Sequence, residues 1–268
     1  MNPQNTRIES PPDWGNDALS SVSQILVGNE WATFVHTADW HKGLSDIFEV
    51  LTKCNTELIS GVLQRSDRIA RLLAITATNH WLAAARSAEA GHCLPVYATG
   101  RAATEMAMYA WYLTSDAAAS ERWGSKPPST DAAGRRAWSR EFSVSQIAQK
   151  LGEGSAAGAQ WAKYLHQTAI DFGAHPNSEA LFSNLSHQPI GNGKSLLSLT
   201  YIHADGNLFV ATLKFAFEVG LFAMTLIGLA FPELRQTTGL SCSLERLTAE
   251  LSHLVTTRRE FSSSSGNE

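Results

Sequence analysis

The sequence predicts an all-α protein, a bundle of about six to eight helices with a small β-hairpin insertion. Three observations carry that expectation. Alanine (36) and leucine (29) outnumber valine and isoleucine (21 together), and unbranched side chains lose little freedom in a helix whereas β-branched ones favour strands. Apolar residues recur at helical spacing along most of the 268-residue chain. Proline and glycine clusters then cut that pattern into helix-length pieces. Hydrophobic residues at 44% are enough for a sizeable core, which excludes a wholly disordered chain.

Residues 1–20, with Pro3, Pro11 and Pro12 among polar neighbours, read as a frayed tail, and residues 261–268, with their serine run, as another. Residues 21–260 read as a single helical domain, since no repeat or long linker divides them. A short helix is expected over 29–39. A second, over 44–64, places Leu44, Ile47, Phe48, Leu51, Leu58, Ile59 and Val62 near one face. Ser66-Asp67 can cap a third, which carries Ile69, Leu72, Leu73, Ile75, Trp81 and Leu82 and stops at Gly91. Pro95 suits the first turn of a fourth, over 96–115 with a continuation toward Trp123.

After the break at Lys126-Pro127-Pro128, helices are expected over 133–151 and 156–172, parted by Gly152, Gly154 and Gly158. Gly191-Asn192-Gly193 is a turn signal, and a hairpin pairing 181–187 with 196–202 follows from it. Residues 207–231 hold 18 apolar residues of 25, interrupted by Lys214 and Glu218 at pairing distance on one helical face. The uncharged remainder before Pro232 is shorter than a membrane span, so a central core helix is expected there. A final amphipathic helix is expected over 243–257.

A net charge of −4 excludes a protein whose whole surface grips nucleic acid or an anionic membrane. Cys54, Cys93 and Cys242 are too far apart for a CxxC pair and odd in number, as free thiols in a reducing cytoplasm would be. The start of the chain has no apolar stretch of signal-peptide type. No phosphate-binding glycine loop, GxSxG elbow or HExxH occurs, so no cofactor is expected. The expectation is a cytoplasmic protein with no membrane partner. Its apolar 208–231 segment exceeds what a lone surface helix can hide, which points to a homo-oligomer, a homodimer in the simplest case.

The fourth helix aligns Tyr97, Arg101, Glu105, Met108, Tyr109 and Tyr112 in a polar, aromatic stripe. Arg101 and Glu105 can pair at i,i+4, either to fix helix register or as one wall of a binding pocket with Tyr97 and Tyr112. A second cluster is Lys163, His166, Gln167, Asp171 and His175. Asp171 and His175 would share a helical face and could form a carboxylate–imidazole dyad, although Gly173 and Pro176 place a helix end between them. His36 and His41, flanking Trp40, read as surface or capping residues.

Arg101-Ala102-Ala103-Thr104-Glu105, followed by a helix from Tyr164 to His175-Pro176, resembles bacterial all-helical proteins placed near the HEPN-like superfamily. The resemblance covers residues 45–230, mainly as helix order. Active members of that superfamily are ribonucleases of defence and toxin–antitoxin systems, so the resemblance implies a protein or RNA partner. Their Arg-x(4–6)-His motif is matched formally by Arg86–His92 and by Arg246–His253, about as many matches as chance supplies. In a metal-independent ribonuclease, Arg86 would hold a phosphate and His92 would act as acid or base. A second alternative is a di-iron bundle built on Glu89-x-x-His92 and Glu250-x-x-His253, with Glu57 and Glu218 or Glu105 as single carboxylates. The expected function is a non-catalytic binding or interaction module of HEPN-like type in a bacterial defence or regulatory system. Its pocket would centre on Arg101, Glu105 and Tyr112, joined by Asp171 and His175 if the two helices pack together.

Overall fold

Helix α1 (Ala18–His36) begins inside the stretch expected to be a tail. The computed structural model describes residues 10–60, 65–116, 118–174, 178–182, 184–191 and 193–264. The early start has a local cause: the Asp17 carboxylate accepts the N–H groups of Leu19 and Ser20 at 2.9 Å each, two of the donors a helix start leaves unpaired. The Ser20 hydroxyl adds the largest part of the hydrogen bonding that lowers the Asp17 pKa. Helix α2 (Ala38–Ser60) follows after Thr37, so the helix expected over 29–39 straddles a junction. Val62, assigned to the second helix from periodicity, lies outside the described residues.

Helix α3 (Arg65–Glu89) already begins at Arg65, so the expected capping pair Ser66-Asp67 lies inside it, whereas α4 (Cys93–Ser115) holds Pro95 in its first turn as expected. A separate short α5 (Ala119–Gly124) carries Trp123. The helix expected over 133–151 is divided into α6 (Ala132–Glu141) and α7 (Val144–Gly154). Ser143 makes the break: its backbone is extended (ψ 145°) and its hydroxyl accepts the Gln146 N–H. Helix α8 (Ala156–Ala169) runs into a π-helical turn, Ile170–Ala174. Gly173 suits that turn because a Cβ there would lie 2.8 Å from the Leu94 carbonyl oxygen.

A short α9 (Ser178–Phe182) takes the start of the first expected strand, so the hairpin lies closer to its turn than 181–187 and 196–202: β1 (Leu185–Gly191) antiparallel to β2 (Lys194–Leu199). It is exposed along nearly its whole length, with Leu196, Leu197 and Leu199 open to solvent. Helix α10 (Gly206–Ala230), α11 (Leu234–Thr237) and α12 (Leu240–Ser264) complete the chain, α12 reaching into the expected C-terminal tail. The fold is thus all-α with a small β insertion, and the helical segments outnumber the six to eight expected.

Helix α10 is the axis of the core, with 17 of its 25 residues buried. It packs on α2, α3, α4, α8 and α12. By length and hydropathy it could cross a membrane, yet 78% of that apolar window is buried inside the protein. Close approach is made possible by Gly220, where a Cβ would lie 2.7 Å from the Trp81 indole nitrogen and 2.8 Å from Ile47. Trp81 is 1% exposed, and its indole N–H donates to the Ala216 carbonyl at 2.8 Å. Phe215, Phe217 and Phe222 fill the surrounding space, each buried ring contributing about 1.5–3 kcal/mol by transfer from water. Lys214 and Glu218 pair at 2.6 Å, as their spacing predicts. All three cysteines are free thiols, Cys54 and Cys93 buried and Cys242 exposed.

Candidate functional site

The stripe of α4 does not face a single pocket. Tyr97 is 2% exposed and packs on the rings of Phe215 (4.8 Å) and Phe172 (5.6 Å). That burial pushes its phenol well above the usual range. Tyr112 sits about 16 Å further along the helix axis than Arg101. Its hydroxyl donates to Glu141 at 3.3 Å, beside Arg122, which bridges Glu141 (2.7 Å) and Asp116 (2.6 Å). Between these ends Tyr109 donates to the Phe142 carbonyl. The stripe therefore serves three neighbouring structures in turn.

Arg101 and Glu105 do pair, Nε to Oε1 at 2.7 Å. From α8, His166 Nε2 stands 3.3 Å from the same oxygen, close enough for attraction but off the line of a good hydrogen bond. Burial alone would raise the Glu105 pKa, but His166 and Arg101 outweigh it and hold the carboxyl below its usual value. Asp171 accepts a hydrogen bond from Gln167 at 2.7 Å. His175, its expected partner, lies outside the described residues. The π-helical turn also removes the regular i,i+4 geometry on which that dyad rested.

A cavity forms elsewhere, where α1 and α2 lie against the C-terminal half of α3. Its volume is about 370 Å³, within the range of about 300–1,000 Å³ common for small-molecule sites. Trp31, Phe34, Phe48 and Trp81 supply its aromatic walls, and Leu44, Leu82 and Ala85 its aliphatic ones. Four charged or titratable residues reach it: Glu30, His41, Arg86 and Glu89. His41 Nδ1 lies 2.6 Å from Glu89 Oε1, and the Phe34 ring meets the imidazole edge-on at 4.9 Å. Burial raises the Glu89 pKa, with the His41 hydrogen bond opposing it.

Arg86 is held by Glu30 through both carboxylate oxygens, its Nη2 2.8 Å from each and its Nε 3.0 Å from Oε1. That fork is the geometry in which Arg binds carboxylate or phosphate, so Glu30 occupies the group expected to hold a phosphate. Polar contacts also fix α1 to the end of α3. Thr33 Oγ1 donates to the Glu89 carbonyl at 2.7 Å and Asn29 Nδ2 to the Ala90 carbonyl at 3.1 Å. They satisfy acceptors that a helix end leaves unpaired. Gly91 then turns the chain at φ +72°, where a Cβ would collide with the His203 carbonyl oxygen.

His41 was expected to be a surface or capping residue, and the structure places it instead against Glu89. Forty-eight positions separate the two, so no local spacing announces the pair. Ser45 also lines the cavity, one helical turn beyond His41. Among the described residues it makes no hydrogen bond to the imidazole, and the walls are helix interiors whose N–H groups bond within their own helices. Among the described residues, neither a poised nucleophile nor an oxyanion hole is assembled there.

His92 takes the N-cap position of α4 without a side-chain capping bond, and it does not line the cavity that Arg86 lines. The second Arg-x-His match divides likewise. Arg246 pairs with Asp46 and Glu250, and His253 borders a different cavity with His36, Asp39 and Trp40. Of the carboxylates in the di-iron alternative, Glu89 meets His41, Glu105 meets Arg101, Glu218 meets Lys214 and Glu250 meets Arg246. Among the described residues no three His, Cys, Asp or Glu side chains gather as a metal site would require. No family model matches the chain, and neither a curated protein nor a solved structure matches it significantly.

Proposed function

We propose that the chain is a non-catalytic binding module that holds a small organic molecule between α1, α2 and α3. The observation that carries this reading is the aromatic-walled cavity of about 370 Å³ with the His41–Glu89 pair on its wall. An apolar pocket with a few convergent polar groups and a perturbed carboxyl is the usual form of a ligand site. The walls offer rings and a carboxylate for recognition, while the parts needed for acyl or phosphoryl transfer are not gathered around them. We place the module in a cytoplasmic, HEPN-like helical protein of a bacterial defence or regulatory system on the sequence resemblance carried by Arg101-Ala102-Ala103-Thr104-Glu105 and the helix from Tyr164. The homo-oligomeric state is part of the same proposal. It is supported by the apolar side chains that α1 leaves open, among them Leu19 (78% exposed) and Val35 (65%).

The test is a ¹H–¹⁵N NMR titration with indole as a neutral aromatic probe. Shifts confined to residues around Trp31, Phe48 and Trp81 are expected, and they should vanish in Ser45→Phe, which fills the mouth from an exposed position. Shifts scattered elsewhere, or unchanged binding in Ser45→Phe, would refute the assignment.

A further inference from the structure

We infer that the ligand this cavity is built for is an organic cation with a flat apolar body, an inference that rests on the binding reading above. The two carboxylates at the cavity are answered unequally: Glu30 takes three N–H bonds from Arg86, whereas Glu89 meets a single imidazole nitrogen. Arg86 commits Nε and Nη2 to Glu30, so the bidentate face it would offer an anion is taken and only Nη1 is left over. Glu89 differs from Glu30. His41 bonds one of its oxygens, Oε1, and an ionised carboxylate has about four acceptor directions, so it can take an ammonium without giving up the imidazole.

The rings supply the second attraction. Trp31 and Phe48 border the cavity while remaining 71% and 39% exposed, and Phe48 stacks on Trp81 at 6.3 Å, so a guest can reach Trp31 and the outer side of Phe48. Aromatic faces carry partial negative charge and hold cations at a range of about 6 Å, most strongly where water is displaced. An anion would meet repulsion from both the rings and Glu89. A neutral guest would gain the apolar contact alone. The combination of ring faces with a half-buried carboxylate bonded at one oxygen selects a cation whose body fits between the rings.

The experiment compares benzylamine, cationic at pH 7.5, with benzyl alcohol, its neutral analogue of nearly equal shape, by NMR titration of the full-length chain. Benzylamine is expected to bind about tenfold more tightly. Glu89→Gln should narrow the gap, weakening benzylamine several-fold more than benzyl alcohol. Should Glu89→Gln unfold the chain, the comparison on the unaltered protein still decides, with added salt weakening benzylamine alone. Equal binding of both probes within the cavity would overturn the cation inference and leave the binding reading standing. Binding of neither at millimolar concentration would overturn both.

Discussion

Helices α1 and α10 are both apolar, yet the fold uses them in opposite ways. Seventeen residues of α10 are buried, whereas α1 buries only Ser20 and Thr33, both polar. Leu19, Ile25, Trp31 and Phe34 of α1 are at least half exposed. Helix α10 is held by shape, with Gly220 admitting Trp81 and Ile47 against its backbone. Helix α1 is held by polar tethers, Thr33 and Asn29 on the end of α3 and Glu30 on Arg86. Apolar content alone therefore does not decide burial. A helix surrounded by partners becomes core, and one tethered along a single side leaves room for a cavity beneath it.

The largest effect is expected where packing is tightest. Gly220→Leu should cost about 3 kcal/mol or more, because overpacking a rigid helix contact forces backbone movement; urea unfolding measures it. Any near-neutral result would mean that α10 is not the rigid axis described. Thr33→Val, which keeps the side-chain shape and removes one tether, should cost about 1 kcal/mol and loosen α1 more than α10. Leu19→Ser, on the open face, should change monomer stability by less than about 0.5 kcal/mol.

The two half-buried carboxylates sharpen the contrast through pH. Glu105 has its pKa lowered in the fold, so its stabilisation is present above its unfolded-state value and disappears as pH falls through the folded value. Glu105→Gln should therefore cost about 1–2 kcal/mol near neutrality and nothing in strong acid. Glu89 is shifted the other way. Its protonated form suits the fold, a benefit fully present below the unfolded-state value and lost as pH rises through the folded one. Glu89→Gln should gain on the natural chain as pH rises from acid to neutral. Parallel pH slopes for the two variants would contradict the assignment of Glu105 to a helix-fastening role and of Glu89 to a cavity wall.

Local chemistry made much of the fold legible. The long apolar run, the Gly191–Gly193 turn signal, Pro95 and the Lys214–Glu218 and Arg101–Glu105 spacings all act within a few residues, and each appears in the structure as expected. The junctions at Thr37 and Ser143 were hidden because helical periodicity continues across them while one backbone residue changes direction. The α4 stripe was legible as an alignment, but its destinations depend on what packs opposite each turn, which no property of α4 states. The cavity was hidden for a stronger reason. Trp31, His41, Phe48, Arg86 and Glu89 come from three helices and meet only after packing, and each one alone resembles an ordinary surface or core residue.

The division between a rigid α10 core and a tethered α1 that covers a ligand site is tested most directly by amide hydrogen exchange, with and without benzylamine. Amides of α10 should exchange only through global unfolding. Those of α1 should open at far lower free energy and slow when benzylamine is added. Equal protection of α1 and α10 in the free protein, or slowing confined to helices away from α1, α2 and α3, would contradict the account.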